Sequence, residues 1–247
     1  SEVVAKSKPD GYTALFPSAS FAINATAYKT SSFDTLKDFA PISWVLSSPL
    51  VLCVHPSVAA RTPQELVAMA RAKKGSLNAA SAGNGALGHL SIEMLKQLTG
   101  VDVLHVPYKG GAPAMNALVA GEVQVMFTGA GSVQPLVKSG RLRAIAVTTA
   151  ERSPLTPGLP TVAESGLPGY EFTSVVGVFA PAKTPTAIVE MMSREITAVL
   201  KRPEIVESLF ESGTASLGST PEEFGSRVRA DIERWRKVIK DTGIQIE

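Results

Sequence analysis

Short apolar runs alternate with longer amphipathic stretches along the chain as far as Thr148. The apolar runs predict strands at 12–16, 42–46, 50–55, 77–80, 101–106, 123–127 and 142–148. The amphipathic stretches between the later runs predict helices at 63–75, 87–98, 113–120 and 133–139. Strands and helices that alternate at this spacing are typical of βαβ units, so we expect a largely parallel sheet.

A different pattern begins after Thr148. A proline-rich stretch at 151–169 predicts a long loop, and an apolar run at 172–179 predicts one further strand. The last part of the chain predicts helices at 185–201, 203–211 and 221–241. Thr62, Thr184 and Thr220 each precede a proline, which is the pattern of an N-cap followed by proline at the first helical position.

Composition excludes several classes of protein. Hydrophobic residues make up 45% of the chain and charged residues 19%, which is typical of a soluble globular protein. The net charge is only +2 and the basic residues are spread out, so we expect no nucleic-acid partner. No apolar run approaches the roughly 18 residues that span a bilayer, and no signal-peptide pattern is present. The single cysteine, Cys53, lies in an apolar run and is expected to be buried.

The sharpest chemical feature is a glycine-rich turn, Ser81-Ala82-Gly83-Asn84-Gly85, between a predicted strand and a predicted helix. Glycines let the backbone approach a ligand, and a helix start supplies unpaired N–H groups at the positive end of its dipole. Together they bind an anion without a charged side chain. The alternative, a tight connection that binds nothing, stays open. The glycines also match a dinucleotide fingerprint, but no acidic residue ends the following strand, so we expect no nucleotide cofactor.

Two further predicted strands end in loops of the same kind. Tyr108 and Lys109 follow the next strand along the chain, and Thr128 and Gly129 follow the one after. Because ligands in open α/β sheets lie beyond the carboxyl ends of the strands, these loops predict one site together with the glycine turn. For Tyr108 and Lys109 a plain alternative stays open, in which the ring packs at the core edge and the lysine is solvated.

Enzymatic signatures are weak. The three histidines, His55, His89 and His105, do not have metal-ligand spacing, and no nucleophile elbow is evident. His105 lies inside a predicted strand, where a hydrogen-bonded core residue is the favoured interpretation. We therefore expect no catalytic residue, no metal and no cofactor.

Several motifs occur in the order found in one known family. They are Pro9-Asp10-Gly11-Tyr12-Thr13 and the segments 81–90, 106–110, 121–127, 140–148, 159–166 and 179–181. Over essentially its whole length the chain resembles the Bug family, the periplasmic solute-binding receptors of tripartite tricarboxylate transporters. The resemblance implies an α/β, two-lobed periplasmic-binding-protein (Venus-flytrap) fold. Lobe one would comprise 1–50 and 175–247, lobe two would comprise 51–174, and the strands at 50–55 and 172–179 would cross between them.

The resemblance also implies a function and a set of ligand-binding residues. The chain would be a monomeric periplasmic receptor that binds a small organic carboxylate and delivers it to the membrane components of a tripartite tricarboxylate transporter. Ser81, Gly83, Asn84 and Gly85 would hold a carboxylate from lobe two, and Ser18, Ala19 and Ser20 would face it from lobe one. Tyr108, Lys109, Thr128, Gly129, Val175 and Val176 would line the rest.

Three departures from the family pattern bear on these expectations. The family's first strand and helix, with a Pro-Gly-Gly loop that contacts the ligand, are absent from the chain, so we expect an incomplete lobe one. Val175 and Val176 follow Ser174 where an aromatic often stands, which favours a more aliphatic pocket. Asn116 stands where the family usually has Asp, which puts a salt bridge to Lys109 in doubt.

Two alternative functions stay open. One is the effector-sensing domain of a transcription regulator, which requires a helix-turn-helix that is not evident in the chain. The other is an enzyme on the same scaffold, for which Lys109, Tyr108 and His89 are the candidate reactive groups.

Overall fold

The chain forms two compact units in a computed structural model that describes residues 1–17, 20–27 and 32–242. Unit 1 consists of Ser1–Ser47, Val175–Phe210 and Ala215–Glu247. Unit 2 consists of Ser48–Ser174 and Glu211–Thr214.

Helices and strands follow one another in a mixed order. In chain order they are α1 (Glu2–Ala5), α2 (Ser20–Ala27), β1 (Phe39–Val54), α3 (Pro63–Ala72), β2 (Asn78–Ser81), α4 (Leu87–Thr99), β3 (Leu104–Pro107), α5 (Gly111–Ala120), β4 (Val125–Gly129), α6 (Ala130–Lys138), β5 (Arg143–Val147), β6 (Thr173–Pro181), α7 (Thr186–Leu200), α8 (Pro203–Glu211), β7 (Ala215–Ser216) and α9 (Pro221–Thr242). β1 and β6 pair with each other, and each continues from one unit into the other.

β1 is one strand of 16 residues, so the predicted break between 46 and 50 is wrong. The ladder to β7 ends at Ser47, and the ladder to β4 begins at Leu50. Pro49 lies between these two ladders, where its missing N–H interrupts neither of them. The serines and proline at 47–49 predicted a break between two strands, but pairing with β7 on one side and β4 on the other keeps the backbone of β1 extended.

The sheet of unit 2 is mixed, in the order β3-β2-β4-β1-β5. β2 is parallel to β3 and to β4, as the βαβ pattern predicts. β1 is antiparallel to both β4 and β5, so the prediction of a largely parallel sheet is wrong for β1. β1 continues a strand begun in unit 1, and a βαβ crossover therefore does not set its direction.

The predicted helix caps are confirmed at two of three positions. Thr62 and Thr220 each accept a hydrogen bond on Oγ1 from the backbone N–H three residues later, at 3.2 Å. Thr184 does not cap α7, because its hydroxyl donates instead to the carbonyl of Pro181 at 2.8 Å. The strand predicted at 12–16 is reduced to a bridge in which Leu15 and Phe179 exchange two backbone hydrogen bonds of 2.7 and 2.9 Å.

Each unit has its own apolar core. In unit 2 the core includes Val51, Cys53, Leu118 and Met126, and the predicted burial of the Cys53 thiol is confirmed. Burial in apolar surroundings raises the pKa of that thiol, which keeps it protonated and unreactive. In unit 1 the core is aromatic, and the ring of Phe179 lies 4.8 Å from that of Phe224 between centroids.

The aromatic core of unit 1 packs closely against Gly177, which has no side chain to obstruct it. A Cβ added to Gly177 would lie 2.1 Å from Cζ of Phe224, whose side chain is buried. We expect Gly177→Ala to lower the free energy of unfolding by about 1–3 kcal/mol through overpacking. The measurement is urea denaturation followed by circular dichroism.

The matched control is Gly111→Ala, because a Cβ added at Gly111 meets no atom within 4 Å. This variant is expected to stay within about 0.5 kcal/mol of the unchanged protein. Equal stability of the two variants would contradict the close contact between Gly177 and Phe224.

Candidate functional site

The glycine turn lies between the end of β2 and the start of α4, as predicted. Gly83 and Gly85 have φ angles of 135° and 73°, which residues with a side chain rarely adopt. A Cβ added to Gly83 would also lie 3.3 Å from the carbonyl oxygen of Tyr108. The turn therefore depends on glycine both for its backbone conformation and for its approach to the next loop.

Backbone hydrogen bonds join this turn to the loop after β3. The N–H of Tyr108 donates to the carbonyl of Ser81 at 3.0 Å, and the N–H of Gly110 donates to the carbonyl of Ala82 at 3.0 Å. Tyr108 packs against the core of unit 2, and Lys109 is exposed. The two loops predicted to share a site are therefore one continuous surface.

The loop after β4 reaches the same edge of the sheet. A Cβ added to Gly88, in the first turn of α4, would lie 2.8 Å from the carbonyl oxygen of Phe127. Thr128 and Gly129 follow, both half-buried, and Gly129 is the N-cap of α6. Since β2, β3 and β4 are parallel, their carboxyl ends meet, and the structure brings together the three loops of unit 2 that were predicted to share a site.

The start of α4 supplies hydrogen-bond donors at this edge. The N–H groups of Leu87, Gly88 and His89 belong to the first helical turn and have no acceptor within their own helix. The N-cap residue, Ala86, offers no side-chain acceptor to them. With the exposed Asn84 beside them, these donors and the helix dipole favour an anion.

The glycine amides themselves are used inside the turn. The N–H of Gly83 donates to Oγ of Ser81 at 3.1 Å, and the N–H of Gly85 donates to Nδ1 of His89 at 3.1 Å. The side chain of Ser81 is fully buried, and its Oγ lies 3.0 Å from the carbonyl of Gly83. Ser81 and the glycines thus shape the turn, and the donors without an acceptor in their own helix are those of the first turn of α4.

Two stacked histidines lie directly beneath the turn, and the sequence did not reveal their pairing. The rings of His89 and His105 are 3.9 Å apart between centroids and nearly parallel, at 14°. Nε2 of His105 lies 2.6 Å from Oγ of Ser81, which confirms the predicted hydrogen bond, but His105 is half-buried and not the core residue that was expected. Two features of the sequence could have indicated these contacts. His89 stands four residues after Gly85, and the side chains of β3 alternate between the two faces of the sheet.

Burial holds both histidines neutral. It lowers the pKa of His105 to about 4, and the neighbouring His89 and Lys96 act in the same direction. Burial also lowers the pKa of His89, with Lys96 adding to this effect and Glu93 opposing it. Since Nδ1 of His89 accepts the Gly85 N–H, the single ring proton of neutral His89 is on Nε2.

A distant segment also packs at this edge, and no local sequence signal pointed to it. Oγ of Ser48 donates to the carbonyl of Gly213 at 2.9 Å. A Cβ added to Gly131, at the start of α6, would lie 1.9 Å from the carbonyl oxygen of Ser212. The segment Glu211–Thr214 therefore covers the beginning of α6 within unit 2.

The remaining predicted site residues belong to unit 1. Ser20 is the first residue of α2, and Ser18 and Ala19 lie outside the described residues. Val175 and Val176 are half-buried near the start of β6, and Val175 packs against the aromatic core of unit 1.

The described residues contain neither a metal-binding cluster nor a membrane-spanning helix. Within 1–17, 20–27 and 32–242, no cluster of three or more His, Cys, Asp or Glu side chains is arranged to hold a metal ion. Among the helices of that same part of the chain, none combines the length and the apolarity that crossing a membrane requires.

Comparison with known proteins identifies the family. The profile of the tripartite tricarboxylate transporter family receptor, TctC, matches residues 1–244. Protein BugT of Bordetella pertussis is 31% identical over 248 residues, which cover 100% of this chain and 76% of BugT.

Solved structures agree with the fold. Rpa4515 of R. palustris, solved with adipate, is 36% identical with a TM-score of 0.92, over 99% of this chain and 82% of Rpa4515. MatC of Rhodopseudomonas palustris, solved with bound malate, is 27% identical with a TM-score of 0.86, over 96% of this chain and 82% of MatC. The predicted α/β periplasmic-binding-protein fold is thereby confirmed. The chain belongs to the tripartite tricarboxylate transporter receptor family, whose members are periplasmic solute receptors and not enzymes.

Proposed function

We propose that this receptor binds a small organic dicarboxylate and delivers it to the membrane components of a tripartite tricarboxylate transporter. Adipate and malate, the ligands of Rpa4515 and MatC, are both short dicarboxylates. The family description supports the transporter as the partner. We propose a periplasmic monomer as the working form, with lobes at 1–50 plus 175–247 and at 51–174.

The observation that carries this proposal is the start of α4 at the meeting point of three parallel strand ends. The first-turn amides of α4 have no acceptor within the helix, and the helix dipole adds partial positive charge at this end. A carboxylate accepts two or more such hydrogen bonds, which offsets the loss of its hydration. In this proposal one ligand carboxylate lies against the first turn of α4, beside Asn84.

The other residues of the site are given supporting roles in the proposal. Ser81, Gly83 and Gly85 hold the shape of the turn, and the Ser81 hydroxyl and both glycine N–H groups are already paired. The residues proposed to line the remainder of the site and set selectivity are Ser18, Ala19, Ser20, Tyr108, Lys109, Thr128, Gly129, Val175 and Val176. Of these, exposed Lys109 is the cation in the loop bonded to the turn, and it attracts anionic ligands at long range.

Isothermal titration calorimetry of the purified protein at pH 7.5 tests the proposed function. We expect saturable one-to-one binding of adipate, malate or another short dicarboxylate from a panel. Adipamide, which has the shape of adipate without its charges, is the control and should bind at least about tenfold more weakly, since it lacks the charge-assisted hydrogen bonds. Failure of every dicarboxylate to bind, or equal affinity for adipamide, would refute the proposal.

A charge placed in the turn tests the location of the site. Asn84→Asp adds a negative charge at an exposed position next to the start of α4, and we expect the affinity for a dicarboxylate to fall by about tenfold or more through repulsion. Affinity is measured by calorimetry at low ionic strength.

Gln97→Glu is the matched control. It adds the same charge at an exposed position on the same helix, about three turns further along. Screening makes the effect of this distant charge small, less than about twofold. If both variants lose affinity equally, net charge explains the effect and Asn84 is not at the site.

A further inference from the structure

Buried His89 and half-buried His105 are linked to the glycine turn by hydrogen bonds and to each other by ring stacking. From one end, Gly85 N–H donates to Nδ1 of His89, the His89 ring stacks on His105, and Nε2 of His105 meets Oγ of Ser81. Ser81 then accepts from the N–H of Gly83. Both glycines whose φ angles form the turn are thus anchored, directly or through Ser81, to the imidazole pair.

The His89 bond survives only while the ring is neutral. Neutral His89 has its proton on Nε2, so a second proton can bind only at Nδ1, the atom that accepts the Gly85 N–H. Protonation therefore places the N–H of Gly85 opposite a second N–H, on Nδ1 of His89, and the hydrogen bond of 3.1 Å between them is lost. The anchor of Gly85 is lost, and the residues just ahead of α4 lose the contact that fixes their geometry.

Among the described residues, Glu93 and Lys96 on α4 are the charged groups that act on the histidine pair. Oε1 of Glu93 is 3.9 Å from Nε2 of His89 and 2.9 Å from Nζ of Lys96. Of the strands that pack on α4, β2 and β4 carry no ionisable side chain, and β3 carries only His105. Buried Tyr170 also meets α4, where its hydroxyl donates to the carbonyl of Ser91, and burial raises the pKa of this tyrosine.

We propose that His89 is a positioning residue of the anion site and that its protonation releases the glycine turn, so that ligand affinity falls on acidification. This inference rests on the proposed function, because it assigns regulation to the same site. His105 supports His89 by stacking and by fixing Ser81. A periplasmic receptor meets the external pH, so the device lowers uptake when the surroundings become acid.

The direction of the pH effect on ligand affinity follows from the pKa shifts of the two histidines. Both histidines have a folded-state pKa below the ordinary value of 6.5, so their neutral forms are the ones that the folded turn prefers. Their contribution is complete above that value and is lost as the pH falls through the folded-state pKa. Linkage to one proton lowers affinity by at most about tenfold for each pH unit below the pKa of His89.

Two substitutions at His89 separate positioning from packing. His89→Asn retains an acceptor, its Oδ1, for the Gly85 N–H and cannot titrate, whereas His89→Phe retains a stacking ring without an acceptor. We expect His89→Phe to bind adipate at least about tenfold more weakly at pH 7.5, from the loss of a buried hydrogen bond and the turn it holds, and His89→Asn to restore most of the affinity. His55→Phe, which alters the third histidine, is the control and should follow the unchanged protein at every pH.

The decisive experiment measures adipate affinity of the unchanged protein and of His89→Asn from pH 7.5 to pH 4.5. Protonation of adipate affects both equally, so their ratio isolates His89. We expect the adipate affinity of the unchanged protein, divided by that of His89→Asn, to decrease as the pH is lowered. In the ligand-free protein we expect the Gly85 amide resonance to shift with the same pH midpoint as the His89 ring. A constant ratio, tighter binding on acidification or a Gly85 amide that ignores the His89 titration would overturn the inference.

The same data distinguish failure of the inference from failure of the proposed function. If no form binds adipate or any other dicarboxylate at pH 7.5, the proposed function fails, and the pH-linked affinity fails with it. If binding is present at pH 7.5 and the ratio is constant, the proposed function stands and the role of His89 is refuted.

Discussion

The hydrogen bonds that hold the glycine turn are the constraint on which the site depends. Positive φ angles at Gly83 and Gly85 place the backbone where the loop after β3 can bond to it, and that loop in turn orders Tyr108 and Lys109. Ordering this turn is costly, because glycine loses more conformational entropy on folding than any other residue. Ser81 and His89 offset that cost with bonds to the two glycine amides.

A site of this kind recognises charge without a buried opposite charge. In the proposed site, the amides at the start of α4 are already oriented by the helix, so the binding of a carboxylate requires little reorganisation. A buried arginine would bind more strongly but would carry a desolvation cost of its own when the site is empty. Neutral donors suit a receptor that must release its ligand as well as bind it, and in the proposed site selectivity comes from the residues that line the remainder.

Sequence reasoning succeeded where the signal was local. The glycine turn, the helix that follows it and the caps at Thr62 and Thr220 are local patterns, and the structure has all of them. One local prediction failed, the cap at Thr184, whose hydroxyl donates to Pro181 instead. The larger errors arose where distant residues decide the outcome. Pairing with β4 and β7 keeps β1 extended through Pro49, and the parallel register of β2 and β3 brings His105, 24 residues further along the chain, against Ser81.

The most direct test of the central claim observes the amides themselves. Titration of ¹⁵N-labelled protein with a dicarboxylate that binds in calorimetry, at pH 7.5, reports which backbone N–H groups meet the ligand. We expect the largest saturable shifts of amide resonances at residues 84–89, with smaller shifts at 108–110. Saturable binding that leaves the amides of 84–89 unmoved would contradict the assignment of the carboxylate to the start of α4.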